Sequence, residues 1–177
     1  MPVDTYYAPS GQYYNGKTYI TYLGSDADPY VCVYDHQKGK WQGPVRAGIS
    51  QLQGHWQPSP KGTGPEHTVV DTHGIPVLVV DDAGYIHVFY GGHGGDKELE
   101  DMYNITNDLG QCGWGEQRHA VSNSPEDISS WGYLRNVSPF GTYSKVIKMD
   151  NGDIYLFYRH GTHKSYWVYQ RSTDDGR

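Results

Sequence analysis

The chain has 177 residues and a net charge of −6, with 23 glycines and 17 tyrosines. A length of this order makes one domain the default expectation. No stretch approaches the roughly 18 apolar residues that a membrane-spanning helix needs, so no membrane partner is expected. There is no stripe of lysine and arginine of the kind that grips nucleic acid, so an anionic ligand would have to be held by a local cluster of positive side chains. Glycine-rich turns between aromatic and β-branched segments are the composition of an all-β protein. Residues 1–11 lack the basic and apolar regions of a secretory leader, so secretion is not visible in the chain itself. Cys32 and Cys112 form no CxxC motif and are expected to be buried thiols, with a single disulfide as the alternative.

In chain order, the first strong element is 15–24 (NGKTYITYLG), a turn followed by a strand. A second strand follows at 30–34 (YVCVY), and a weaker one is expected at 46–50. The pattern resumes with a short strand at 75–80 (IPVLVV), a turn and strand at 83–92 (AGYIHVFYGG) and a strand at 102–106 (MYNIT). It resumes once more with 145–149 (KVIKM), 151–160 (NGDIYLFYRH) and 166–171 (YWVYQR). Gly16, Gly84 and Gly152 head the three strongest segments at an interval of 68 residues, and Tyr22, Tyr90 and Tyr158 keep the same interval near the strand ends. Glycine supplies the positive φ of a tight hairpin. Strand alternation sets Ile86, Val88 and Tyr90 on one face and Tyr85, His87 and Phe89 on the other. Both faces are apolar or aromatic, as in a strand sandwiched between neighbouring sheets.

These repeats predict an all-β fold, a β-propeller of four-stranded antiparallel blades. Blade 1 spans about 8–56, blade 2 about 67–131, and blade 3 about 140–177 and is incomplete. Each repeat is long, since compact blades run roughly 40–50 residues. Three blades do not close a ring, so the expectation is a fragment of a larger assembly, with an open stack or sandwich as the alternative.

Ser172–Gly176 (STDDG) resembles the start of the Asp-box hairpin of sialidase-type propellers; 122–131 (SNSPEDISSW) and 34–41 (YDHQKGKW) are looser versions. The segments DTHGIPVLVVDDAGYIHVFYGGH, SPEDISSW and YSKVIKMDNGDIYLFYRHG together resemble the BNR-repeat propeller family, which includes the seven-bladed ulvan lyases. The resemblance implies a seven-bladed ring and a secreted or periplasmic protein.

Four polar residues interrupt the strand pattern where packing does not require them: His73, His93, Tyr143 and Arg159. Arg159 stands at the repeat position of Gly91, where a small residue suffices. Alone, each has an ordinary structural explanation: a hydrogen-bonded histidine, one tyrosine among many, an ion pair between blades. The loops that carry them are expected at different levels of their blades, but consecutive blades are neighbours around the axis, so the four residues are expected to converge on one mouth. The resemblance implies more, because propeller-type ulvan lyases carry two histidines, a tyrosine and an arginine at similar spacings. Such enzymes cleave a uronate-containing, sulfated polysaccharide by β-elimination and need no cofactor for it. The residue types suit that chemistry. A guanidinium grips a carboxylate in a fork and stays charged, a neutral histidine can take a proton, and a tyrosine can protonate the leaving oxygen. The residues leave open which of His73 and Tyr143 is acid and which is base. His93 would help to neutralise the carboxylate.

His160, His163 and Lys164 are expected to bind sulfate or carboxylate, or to form an ordinary solvated loop. His87 is expected in the core. Cys112 and His119 sit in an apparent insertion whose spacing matches no strong zinc motif. The run 96–101 (DKELED) reads as a solvated edge with calcium a lesser alternative. A structural metal therefore stays unassigned. Trp56 and Trp114 are candidates for stacking on sugar rings, whereas Trp131 fits a packing position. The rival functions are a carbohydrate-binding propeller without chemistry and a sialidase-like glycoside hydrolase. The second wants an arginine cluster and a tyrosine with a carboxylate partner, and only Arg159 is well placed.

Overall fold

A computed structural model describes residues 9–24, 27–50, 55–57, 67–69, 73–93, 117–138, 141–160 and 166–176. Every regular element among them is a strand. Blade 1 is the meander β1 (Ser10–Tyr14), β2 (Lys17–Leu23), β3 (Pro29–Asp35) and β4 (Lys40–Arg46). The short pair β5 (His55–Gln57) and β6 (His67–Val69) follows. Blade 2 is β7 (Val77–Val80), β8 (Ile86–Gly91), β9 (Gln117–Ser122) and β10 (Trp131–Ser138). Blade 3 contributes β11 (Thr142–Lys148), β12 (Ile154–Arg159) and β13 (Trp167–Ser172). All pairings within the blades are antiparallel.

The 68-residue interval is also the step from blade to blade. Ser10 Oγ accepts from Leu78 N (3.3 Å), Gln12 Oε1 accepts from Val80 N (2.8 Å), and Tyr14 Oη donates to Asp82 O (3.2 Å), each pair 68 residues apart. The first strands β1, β7 and β11 are therefore neighbours. The alternation read from the sequence holds in three dimensions. Ile86, Val88 and Tyr90 pack with Tyr19, Val31 and Val33 of blade 1. Phe89, Val77 and Val79 pack with Ile154, Leu156 and Tyr158 of blade 3. All six residues of β8 are buried. Trp131 packs on the first of these clusters and donates from Nε1 to Ile128 O (2.8 Å). In the Asp-box turn, Ser172 Oγ accepts from Gly176 N (2.8 Å) and Gly176 takes φ of 81°.

Three expectations are corrected. The strand beside β8 is Gln117–Ser122, not 102–106: β8 has β7 on one side and β9 on the other, so both of its edges are taken. The segment 102–106 lies outside the described residues, and what reads as an insertion around His119 carries the third strand of the blade. The fourth strand of blade 1 is Lys40–Arg46 rather than 46–50; it is exposed along almost its whole length and so shows no alternation. Cys32 is half-buried with a free thiol. Burial pushes that thiol up, against a hydrogen bond with Tyr22 that lowers it. Cys112 lies outside the described residues.

His87 is in the core, as expected, at the centre of a buried polar chain. Its Nε2 lies 3.2 Å from Asp81 Oδ2, and its Nδ1 lies 2.9 Å from His119 Nε2. An ionised Asp81 only accepts, so His87 donates to it from Nε2 and accepts at Nδ1 from His119. Burial alone would raise the Asp81 carboxyl. The hydrogen bond from His87 and those from the Tyr85 and Ala83 amides outweigh it and hold the group below the usual carboxylate range. A folded-state value below the unfolded one adds stability above the unfolded pKa of about 4 and loses it as pH falls through the folded value. Asp81→Asn should therefore be less stable than the native chain at pH 7 by about 1–2 kcal/mol. The gap should close as pH drops into the acid range. Urea midpoints measured across a pH series check this, and a gap that persists unchanged into strong acid would contradict an ionised Asp81.

Candidate active site

Antiparallel pairing fixes where the four singled-out residues lie. β7 and β8 pair with Val77 opposite Phe89, and that register carried four residues outward sets His73 opposite His93. In blade 3, Thr142 pairs with Arg159, so Tyr143 emerges beside Arg159. The expectation of different levels fails because a first strand begins where an antiparallel second strand ends. All four residues thus lie at one end of their blades, two from each of two adjacent sheets.

The side chains meet there. The rings of His73 and His93 stack with centroids 4.0 Å apart and planes 14° apart. His73 reaches the Tyr143 ring at 5.8 Å, tilted by 58°. The Arg159 guanidinium carbon sits 4.9 Å from the Tyr143 ring centroid, within the range of a cation–π contact. Arg159 is buried, whereas His73, His93 and Tyr143 are half-buried and keep an edge toward solvent. A cleft of about 430 Å³ opens beside Tyr143, walled by Pro9, Ser10, Ile75, Val77 and Lys145 among others.

The backbone is irregular at these residues. The β11–β12 ladder breaks between Thr142 and Lys145, and Tyr143 has φ of 61°. A bulge of this kind re-aims a side chain, and an aromatic residue in the left-handed region costs on the order of 1–3 kcal/mol. Strain of that size is tolerated where packing over-determines it. On the other side of the site, Gly92 has φ of 75°, and a Cβ there would lie 2.5 Å from Gly141 O. Only glycine fits that turn, which delivers His93.

His160 follows Arg159 and pairs by backbone, its N–H donating to Tyr166 O (2.9 Å). Burial holds its imidazole below the ordinary histidine value, so at neutral pH it offers a hydrogen bond rather than a fixed positive charge. His163 and Lys164 lie outside the described residues. So do Trp114, Cys112 and 96–101; of Trp56 only its position in β5 is described. His119 is committed to His87 in the core, and no group of three metal-ligating side chains occurs among the described residues. The sequence reading missed Gln117, buried in the first position of β9 and bonded to Ser144. Polar residues buried by hydrogen bonding leave no hydrophobic pattern.

Residues 17–176 match the BNR repeat-containing family. The chain belongs to that family. It is 52% identical over 169 residues to a PL25 ulvan lyase of Pseudoalteromonas sp. (strain PLSV), covering 96% of this chain and 32% of that protein. It is 51% identical over 169 residues to an ulvan lyase of Nonlabens ulvanivorans, covering 95% of this chain and 33% of that one. A solved structure of a PL25 ulvan lyase bound to -[GlcA(1-4)Rha3S]- is similar at a TM-score of 0.76 and 51% identity, over 96% of this chain and 35% of that one. The chain thus spans about a third of the length of the curated relatives it matches.

The geometry of the Gly92 turn makes a direct prediction. Gly92→Ala should lower stability by roughly 1–3 kcal/mol, because both the positive φ and the contact with Gly141 oppose a Cβ. A denaturant midpoint equal to that of the native chain would show that the turn is not fixed in this conformation.

Proposed function

We propose that this chain forms part of a polysaccharide lyase that cleaves a uronate-containing, sulfated glycan of the ulvan type by β-elimination. The observation that carries the reading is the meeting of His73 and His93 from one blade with Tyr143 and Arg159 from the next. The identity of about half of all residues to ulvan lyases supports the substrate class.

The chemistry follows from the residue types. The C5 proton of a uronate is only weakly acidic, because its removal drives charge onto the neighbouring carboxylate. Arg159, with His93, neutralises that carboxylate, so the developing charge meets groups already in position. His73 and Tyr143 form the acid–base pair. One takes the C5 proton, the electron pair forms the C4–C5 double bond, the C4–O4 bond breaks, and the other residue protonates O4. Which residue takes which role follows from the ring face that carries H5 and O4, and so from the uronate epimer. His160, His163 and Lys164 are proposed to contact the anionic chain, with His160 as a neutral hydrogen-bonding group. No step of this scheme calls on a cofactor. A polymeric anion does not cross a bilayer, so we assign the protein to the secreted or periplasmic space.

The test is to incubate the full-length polypeptide with ulvan and follow absorbance at about 235 nm, where the unsaturated uronate end absorbs. The absorbance should rise. Tyr143→Phe and His73→Ala should each lower turnover by at least about a hundredfold, with unfolding midpoints close to the native value. Glycan binding without an absorbance rise would replace the reading by a binding module. Release of reducing ends without that absorbance would replace it by a hydrolase.

A further inference from the structure

We infer that Gln117 is a positioning residue that braces Tyr143 and His93 together, an inference that rests on the elimination reading above. Gln117 opens β9, opposite Gly91 in β8 and Ser138 in β10. Its side chain is fully buried. A buried amide normally finds partners for both its oxygen and its nitrogen. Here Oε1 accepts from Ser144 Oγ (2.9 Å), while Nε2 has no hydrogen-bond partner among the described residues. An aliphatic side chain of the same length would fill the space without burying an unsatisfied donor. Stability alone therefore does not account for glutamine at this position.

What the amide does is visible from its contacts. Ser144 is the residue after Tyr143, inside the bulge that gives Tyr143 its left-handed backbone. A bond to Ser144 Oγ therefore holds the bulge from beneath. The same oxygen lies 2.8 Å from where a Cβ would stand on Gly92 and 2.8 Å from where one would stand on Gly141. Gly92 immediately precedes His93, and Gly141 lies two residues before Tyr143. One side chain thus wedges between the turn that delivers His93 and the bulge that delivers Tyr143. Because these belong to different blades, Gln117 fixes the offset between the two halves of the site.

Two substitutions separate the shape of the side chain from its bonding. Gln117→Met keeps the length and packing but removes the bond to Ser144; Ser144→Ala removes the same bond from the other end. Both are assayed on ulvan in the full-length polypeptide. Each should lower kcat by about tenfold, since small misplacements of reacting groups are costly. KM should stay within about twofold and the unfolding midpoint should not fall in parallel with kcat. The double variant should lose no more than either single one, because both remove one interaction. Native kcat in both variants, additive losses in the double variant, or a loss of stability with kcat unchanged would overturn the inference. If Gln117→Met fails to fold, Ser144→Ala carries the same test. Native protein that forms no unsaturated product would instead overturn the elimination reading, and the positioning role would fall with it.

Discussion

The packing of one sheet on the next is the constraint on which the rest of this structure depends. Strand β8 has no face toward solvent: Ile86, Val88 and Tyr90 lie against blade 1, and Phe89 lies against blade 3. A fully buried side chain of this class contributes on the order of 1.5–3 kcal/mol, so a strand apolar on both faces is stable only between two other sheets. The 68-residue interval then sets which residues meet, because side chains of one first strand bond the backbone of the next at equivalent positions. On blade 3 the same interval assigns Ile147, Tyr155 and Phe157 to the positions that Val79, His87 and Phe89 hold in blade 2. Ile147 and the neighbouring Tyr169 are exposed, and Tyr155, Phe157 and Tyr169 form a ring cluster on that side. Blade 3 therefore presents the kind of surface that blade 2 covers with its neighbour.

The candidate site is built from departures from this regular packing. A plain antiparallel hairpin would pair Tyr143 and Ser144 as ladder residues. Instead the ladder breaks, Tyr143 turns into the left-handed region, and its ring comes under the guanidinium of Arg159 and beside His73. Across the blade boundary, the Gly92 turn ends β8 and brings His93 onto His73. Regular strands provide the common end at which first strands begin and second strands finish. The bulge and the glycine turn then aim the side chains.

Much of this was legible in the sequence, and the failures have a common cause. The repeat, the two-faced strands, the core position of His87 and the four polar residues out of pattern all follow from periodicity, because burial by apolar contact leaves a period of two. Strands held by other means leave no such trace. β4 is exposed except at Val45 and shows no alternation. β9 reads QRHAVS, with Gln117 and His119 buried through hydrogen bonds rather than hydrophobicity, so it passes for a loop and a more apolar stretch upstream takes its place in the reading. The left-handed backbone of Tyr143 is similarly silent, since nothing in the residue's chemistry favours it. Convergence of the four residues needed only the antiparallel register, which the hairpin between β7 and β8 already implied.

The polar residues of β9 bear on how a site shared by two blades can be exact enough for chemistry. Apolar contact between sheets is strong but non-directional, so it resists separation far better than it resists a small slide. A site that takes two groups from each of two sheets needs the sheets held within about 0.5 Å. Gln117 and His119 stand two residues apart on β9 and so face the same way. His119 stacks on Phe89 at 4.4 Å and continues into the His87–Asp81 chain within blade 2, while His87 lies against the Gly176 turn of blade 3, where a Cβ would come within 2.9 Å of it. Gln117 bonds Ser144 of blade 3 directly. Hydrogen bonds near 3 Å weaken steeply when misaligned. The Gln117–Ser144 bond, a directional contact across that boundary, therefore limits sliding of one blade on the other. Buried polar groups that look costly in a core are, on this argument, what converts a stack of greasy sheets into a fixed frame for His73, His93, Tyr143 and Arg159.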